Sequence, residues 1–242
     1  MAGHRSHAAA LVPALLALAL LSTTPAQAMP HSWPEFWGVQ VEQLEYRLGD
    51  DTDVFAWDFD AFVGSDERRF VWRSEAEYAT DEDAFEQLEN QARVTQPISE
   101  FFDLAYGLRL DTPEGATRLH GLIGIQGLAP QWFEIDATLF VSDTPFARFE
   151  TEYEVLITNR LNLVPSLELT LPMVDDEGIG AGAWGPKLEM GLRLGYDLID
   201  RSFTPYIGVH YERLFGQTAD YARDDGEERD ALFFVVGARL LF

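Results

Sequence analysis

His210 and Glu212 stand two residues apart in Val209-His210-Tyr211-Glu212, a spacing that puts imidazole and carboxylate on the same face of an extended strand. Imidazole nitrogen and thioether sulfur are the softer donors that suit copper. His120 and Met173, each near the end of a strand-like segment, complete a candidate metal set of His210, His120 and Met173. A terminal amine with histidine in third place chelates Cu(II) through the second residue's deprotonated amide. In Met29-Pro30-His31 that residue is Pro30, which has no N–H, so the full chelate cannot form.

Catalytic chemistry is thinly supplied. No serine accompanies His210 in a recognisable nucleophile motif, and cysteine is absent, which removes thiolate nucleophiles, disulfides and Cys-based zinc sites. Lys187 is the only lysine, with no phosphate-loop motif around it. No enzyme is expected. The chain of 242 residues carries 17 basic against 41 acidic residues, a net charge of −24 that repels nucleic acid.

The elements that must position these side chains are strands of period two. In 102–111, Phe102, Leu104, Tyr106, Leu108 and Leu110 oppose Asp103, Arg109 and Asp111; in 187–198, Leu188, Met190, Leu192 and Leu194 oppose Lys187, Glu189 and Arg193. Alternation over about ten residues is twice the usual strand length and suits a strand crossing an outer membrane, apolar to lipid and polar to a lumen. A soluble β-sandwich also alternates, so strand length is what favours the barrel. Phe234, Val236, Ala238, Leu240 and Phe242 share a face in the last segment, which ends on the aromatic as bacterial outer-membrane barrels do.

Ahead of these strands, Arg5, the apolar run Ala8–Leu21 and Ala26-Gln27-Ala28 compose a secretory signal peptide over 1–28. A short periplasmic tail, 29–36, precedes a barrel over 37–242. Crossings are expected near 37–47, 53–63, 69–78, 85–95, 101–111, 117–128, 132–142, 147–158, 161–172, 187–198, 203–215 and 231–242: about twelve antiparallel strands, closed. The first and fourth are the weakest, the fourth because Asn90 and Gln91 lie near its middle. Tight turns at Asp66-Glu67, Ala129-Pro130, Asn159-Arg160 and Asp200-Arg201 alternate with longer connections, the longest at 173–186 and 216–230. Two acidic runs, Asp175–Glu177 and Asp224–Glu228, fall in those longest loops as solvated charge. Twelve strands lie between a filled eight-stranded barrel and an open porin. The expected lining, which includes Asp58, Asp60, Arg73, Glu75, Glu134, Asp136, Glu150, Glu152, Glu154, Glu168, Glu189 and Glu212, is rich in acids and favours cations.

Several segments carry a resemblance. Gln126-Gly127-Leu128-Ala129-Pro130-Gln131-Trp132-Phe133-Glu134-Ile135-Asp136-Ala137-Thr138, Glu152–Leu161, Pro205–Val209 and Phe215–Arg223 resemble, in order, the copper resistance protein B family of outer-membrane proteins. The resemblance implies a bacterial outer-membrane barrel of copper tolerance, with copper ions, outer-membrane lipid and a periplasmic multicopper oxidase as partners and no nucleic acid. Family members commonly carry a Met- and His-rich segment before the barrel. After the expected leader, only Met29 and His31 precede Trp33 here. A structural or general small-solute barrel without metal specificity is the alternative that the residues leave open.

Overall fold

A computed structural model describes residues 36–50, 52–112, 117–199 and 201–242. The leader over 1–28, the tail residues 29–35 and Asp200 of the last short turn lie outside the described residues. Phe36, assigned to the tail by sequence, opens the first strand. The chain runs β1 (Phe36–Leu48), β2 (Val54–Gly64), β3 (Arg69–Ala79), β4 (Ala84–Pro97), β5 (Phe102–Asp111), β6 (Arg118–Ala129), β7 (Phe133–Val141), β8 (Phe146–Glu152), β9 (Val155–Leu156), β10 (Leu161–Pro172), β11 (Lys187–Tyr196), β12 (Phe203–Leu214), a helix α1 (Gly216–Asp225) and β13 (Asp230–Leu241).

Neighbours in this order pair antiparallel, and β13 returns to pair with β1 at Gln40↔Leu241 and Tyr46↔Val236, closing the barrel. Val39 and Phe242 complete the seam with N–H···O bonds of 3.1 and 2.9 Å in the two directions. Closure leaves no open edge, the condition under which a sheet can sit in lipid. β8 and β9 both pair with β10, so the thirteen segments make twelve crossings. The break between them lies opposite Pro165, which has no N–H to give; its carbonyl accepts from Tyr153 N instead (3.1 Å).

Burial is inverted relative to a soluble protein. Trp37, Leu119, Ile207 and Phe234 are at least 60% exposed on the outer wall, while Glu45, Glu89, Gln91, Arg93 and His120 are at most 2% exposed inside. That inversion is what period two produces when the apolar face meets lipid. β1 deviates from strict alternation for a visible reason. A bulge between Val41 and Gln43 shifts its phase against β2, so the inward side chains change from Gly38 and Gln40 to Glu45 and Arg47. β4, with its polar middle, is a full fourteen-residue strand: Glu89, Gln91, Arg93 and Thr95 all point inward, and outward Asn90 accepts from Trp72 Nε1 at 3.2 Å. Glu154, expected in the lining, is instead exposed at the short-turn end beside Arg201.

The two longest connections pack on one another. Thr218 Oγ1 of α1 donates to Gly185 O (2.6 Å) and accepts from Gly182 N (3.0 Å). A Cβ at either glycine would lie 2.6 Å from Thr218 N, so only glycine permits this approach. Asp176 in the same loop reaches Arg118 at the start of β6 (3.0 Å), and Asp175 accepts from Ala183 N (2.8 Å). The first acidic run is therefore built into the loop and not merely solvated.

Candidate metal centre

Arginines bridge the lumen from wall to wall. Arg148 on β8 reaches Glu75 on β3 (2.8 Å), Glu89 on β4 (3.0 Å) and Glu168 on β10 (3.1 Å). Arg193 on β11 meets Glu45 on β1 at 2.8 Å, and Glu45 also accepts from Tyr206 Oη (2.8 Å). Arg93 meets Asp136 at 2.6 Å, and Arg47 joins Glu45 (2.8 Å) to Glu77. A buried charge left alone costs several kcal/mol, so inward-pointing acids and bases are held in pairs and networks.

These networks separate two cavities. One of about 630 Å³ lies toward the short turns and includes Asp58, Asp60 and Glu134 in its wall. The other, about 1220 Å³, lies under the long loops and includes Asp111, Lys187 and Glu212. Gln87, Glu168 and Glu189 line both and mark where they meet.

At that junction β11 and β12 set three ligand groups together. Register places Glu189 directly opposite Glu212 and Gly191 opposite His210, so period two aims both carboxylates and the imidazole at the lumen. His210 Nε2 lies 3.0 Å from Glu212 Oε1 and 3.5 Å from Glu189 Oε2. One donor atom from each of the three residues falls within 4.8 Å of the others. Among the described residues these three are the His, Asp, Glu or Cys group so arranged. His210 lines the short-turn cavity, Glu212 the long-loop cavity and Glu189 both.

His210 is only 4% exposed and its Nδ1 has no hydrogen-bond partner among the described residues. Resident metal sites usually fix the ring by a bond to that second nitrogen. Its absence here leaves a ligand held from one side only. Lys187 Nζ sits 2.9 Å from Glu189 Oε1 and 3.1 Å from Glu212 Oε2, using the carboxylate oxygens that do not face His210.

The other two residues singled out by sequence lie elsewhere. His120 on β6 has Ser142 Oγ at 2.9 Å from Nδ1 and Asp111 Oδ2 at 3.3 Å from Nε2, and its ring stands edge-on to Phe146 at 5.3 Å. Met173 follows β10, half-buried, its backbone N–H bonded to Pro145 O (3.0 Å). Neither joins the group around His210. Glu212 was legible beside His210 on the same strand, but Glu189 only as lining, because its approach to them depends on the β11–β12 register. Glu45, Arg47, Glu89 and Arg93 escaped the sequence reading because they lie on the bulged first strand and the polar fourth.

The profile of the family described as copper resistance protein B precursor matches residues 35–242. A copper resistance protein B of Escherichia coli is 39% identical over 206 residues, covering 84% of this chain and 69% of its own length. The chain belongs to the copper resistance protein B family. A copper resistance protein B homolog of Pseudomonas syringae pv. tomato is 36% identical over 203 residues, 83% of this chain and 68% of that protein. Among solved structures, a NanC porin superposes with a TM-score of 0.53 at 12% identity, covering 85% of this chain and 99% of that one; a KdgM porin gives 0.50 at 12%, covering 86% and 99%. Those likenesses concern the fold, a porin-like β-barrel. In this copper resistance protein B relative, the family-like segment 126–138 spans the end of β6, a 3-10 turn at Pro130–Trp132 and most of β7, and the segment 215–223 enters and builds α1.

The donor set is one imidazole nitrogen and two carboxylate oxygens. Soft Cu(I) prefers thiolate and thioether, and neither is present at this group; Cu(II) accepts nitrogen and oxygen and binds such sets more tightly than its first-row divalent neighbours. The three residues fit Cu(II).

Proposed function

We propose that the barrel stands in the bacterial outer membrane, apolar wall to lipid, and binds copper(II) at Glu189, His210 and Glu212 as the ion passes between the two cavities. It acts as a conduit and not as an enzyme. The observation that carries this reading is position: the nitrogen-containing ligand group lies where the cavities meet, with members facing each side. Family membership supports copper as the ion, and a lumen richer in acids than bases favours cations over anions. A periplasmic multicopper oxidase is the partner this reading expects.

The test is metal binding and flux. Purified wild-type barrel in detergent is expected to bind copper(II) in equilibrium titration and to admit it into proteoliposomes, with both lowered in His210→Ala. Unchanged copper binding in His210→Ala would remove the site. Unchanged copper tolerance in a strain lacking the gene, with no copper on the purified protein, would favour a small-solute barrel without metal specificity.

A further inference from the structure

Lys187 is the sole lysine of a chain whose other lumen cations are arginines. Its ammonium does not fill an ordinary pair. It bridges two carboxylates that face each other across β11 and β12, at 2.9 and 3.1 Å, and those same carboxylates turn their other oxygens to His210. Two acids directly opposite would repel; Lys187 bridges both when no ion is bound, and Arg47 Nη1 stands 3.7 Å from Glu212 Oε1 alone. Any cation entering between Glu189, His210 and Glu212 meets this charge already in place.

We infer that Lys187 is a tethered competitor for the bound cation: it keeps copper(II) affinity low and is driven off the carboxylates into the long-loop cavity when the ion binds. The inference rests on the copper reading of the same site. Three further observations carry it. Lys187 lines only the long-loop cavity, while His210 lines only the other, so ammonium and metal approach the carboxylates from opposite sides. The side chain retains 29% exposure, against 4–5% for Arg47, Arg148 and Arg193, so it has space to withdraw. A lysine ammonium on a flexible stem can also withdraw singly, whereas an arginine fork would have to break a bidentate pair. The unpartnered Nδ1 of His210 agrees with a site made for release and not for storage.

Because Lys187 is the only lysine, amine acylation followed by peptide mapping reports it apart from the chain's amino terminus. In the folded wild-type barrel, copper(II) sulfate is expected to raise Lys187 acylation at least about twofold as the ammonium leaves its carboxylates. In parallel, Lys187→Gln is expected to bind copper(II) about tenfold more tightly by equilibrium titration, and Lys187→Arg no more tightly than wild type. Unchanged Lys187 acylation at saturating copper would overturn the inference, whether or not the variants fold. So would unchanged or weaker affinity in a folded, heat-shifted Lys187→Gln barrel. Failure of the underlying site shows differently: copper bound equally by wild type and His210→Gln would dismiss the site, while copper lost in His210→Gln with Lys187 indifferent would dismiss only the competitor.

Discussion

His210 and His120 are both buried on the lumen face, 4% and 2% exposed, yet they sit in opposite chemical settings. His120 is boxed in. It has Ser142 on one nitrogen and Asp111 near the other, that aspartate is already engaged by Arg109 Nε at 2.7 Å, and Phe146 covers the ring. His210 has two carboxylates on one nitrogen, nothing on the other, and a cavity junction beside it. Burial and residue type are therefore shared by a structural histidine and a ligand candidate. What separates them is the number of acids and the place: His120 faces one carboxylate with Ser142 on its other nitrogen, whereas His210 faces two carboxylates at the junction of the cavities.

Removing the two acids while keeping the imidazole should separate the two histidines most widely. Glu189→Gln with Glu212→Gln is expected to weaken copper(II) binding on the order of a hundredfold, while His120→Gln changes it less than about twofold. Equal losses in the two would mean that both histidines are ligands. The converse measurement is stability. His120→Ala removes the hydroxyl contact, the edge-on packing and the imidazole beside Asp111, and is expected to cost about 2 kcal/mol, roughly thirtyfold in the folding equilibrium, read as a lower midpoint of heat-modifiable gel migration in urea. His210→Ala should cost clearly less, because Lys187 still ties Glu189 to Glu212.

Acidification sharpens the contrast in a single protein. Metal binds neutral imidazole and ionised carboxylate, so protonation opposes it and affinity must fall as pH falls. Between pH 7.5 and 5.5 an ordinary imidazole loses about nine-tenths of its neutral form, and copper(II) affinity is expected to drop about tenfold. Titration of His210→Gln over the same range should give a flatter profile, whereas His120→Gln should keep the wild-type slope. A wild-type profile that stays flat would point to carboxylates acting without the histidine.

The barrel was legible in sequence because its wall is a repeated physical decision: alternate residues face outward or into the lumen, and long strands cannot hide that period. Twelve crossings and the contrast of short turns with long loops could be read directly. Legibility failed where a local feature interrupts the period. The bulge in β1 hides Glu45 and Arg47, and the polar middle of β4 looks like a weak strand until Gln91 and Arg93 are seen inside. Helix α1 carries no strong apolar stripe; it is fixed by Thr218 against Gly182 and Gly185, contacts made between distant segments. The candidate site was half legible. His210 and Glu212 share a strand and their spacing is visible, but Glu189 joins them through register across two strands, which depends on how the intervening loop and helix close.

The smallest effect on copper is expected from the far end of the molecule, and it guards the comparison against a trivial explanation. Phe242 is 71% exposed on the outer wall, and its backbone exchanges N–H···O bonds with Val39 where the last strand closes on the first. Deleting it removes that pair of bonds and the aromatic end, so fewer chains should close into heat-shifted barrel, because an unpaired edge in lipid is costly. The barrels that do close keep β11 and β12 in register, and copper bound per folded barrel should equal wild type. A deletion that assembled at wild-type yield would remove the seam argument. If copper per folded barrel fell along with yield, losses in the histidine and glutamate variants could reflect imperfect closure, and only variants matched to wild type in heat-shifted fraction would still distinguish His210 from His120.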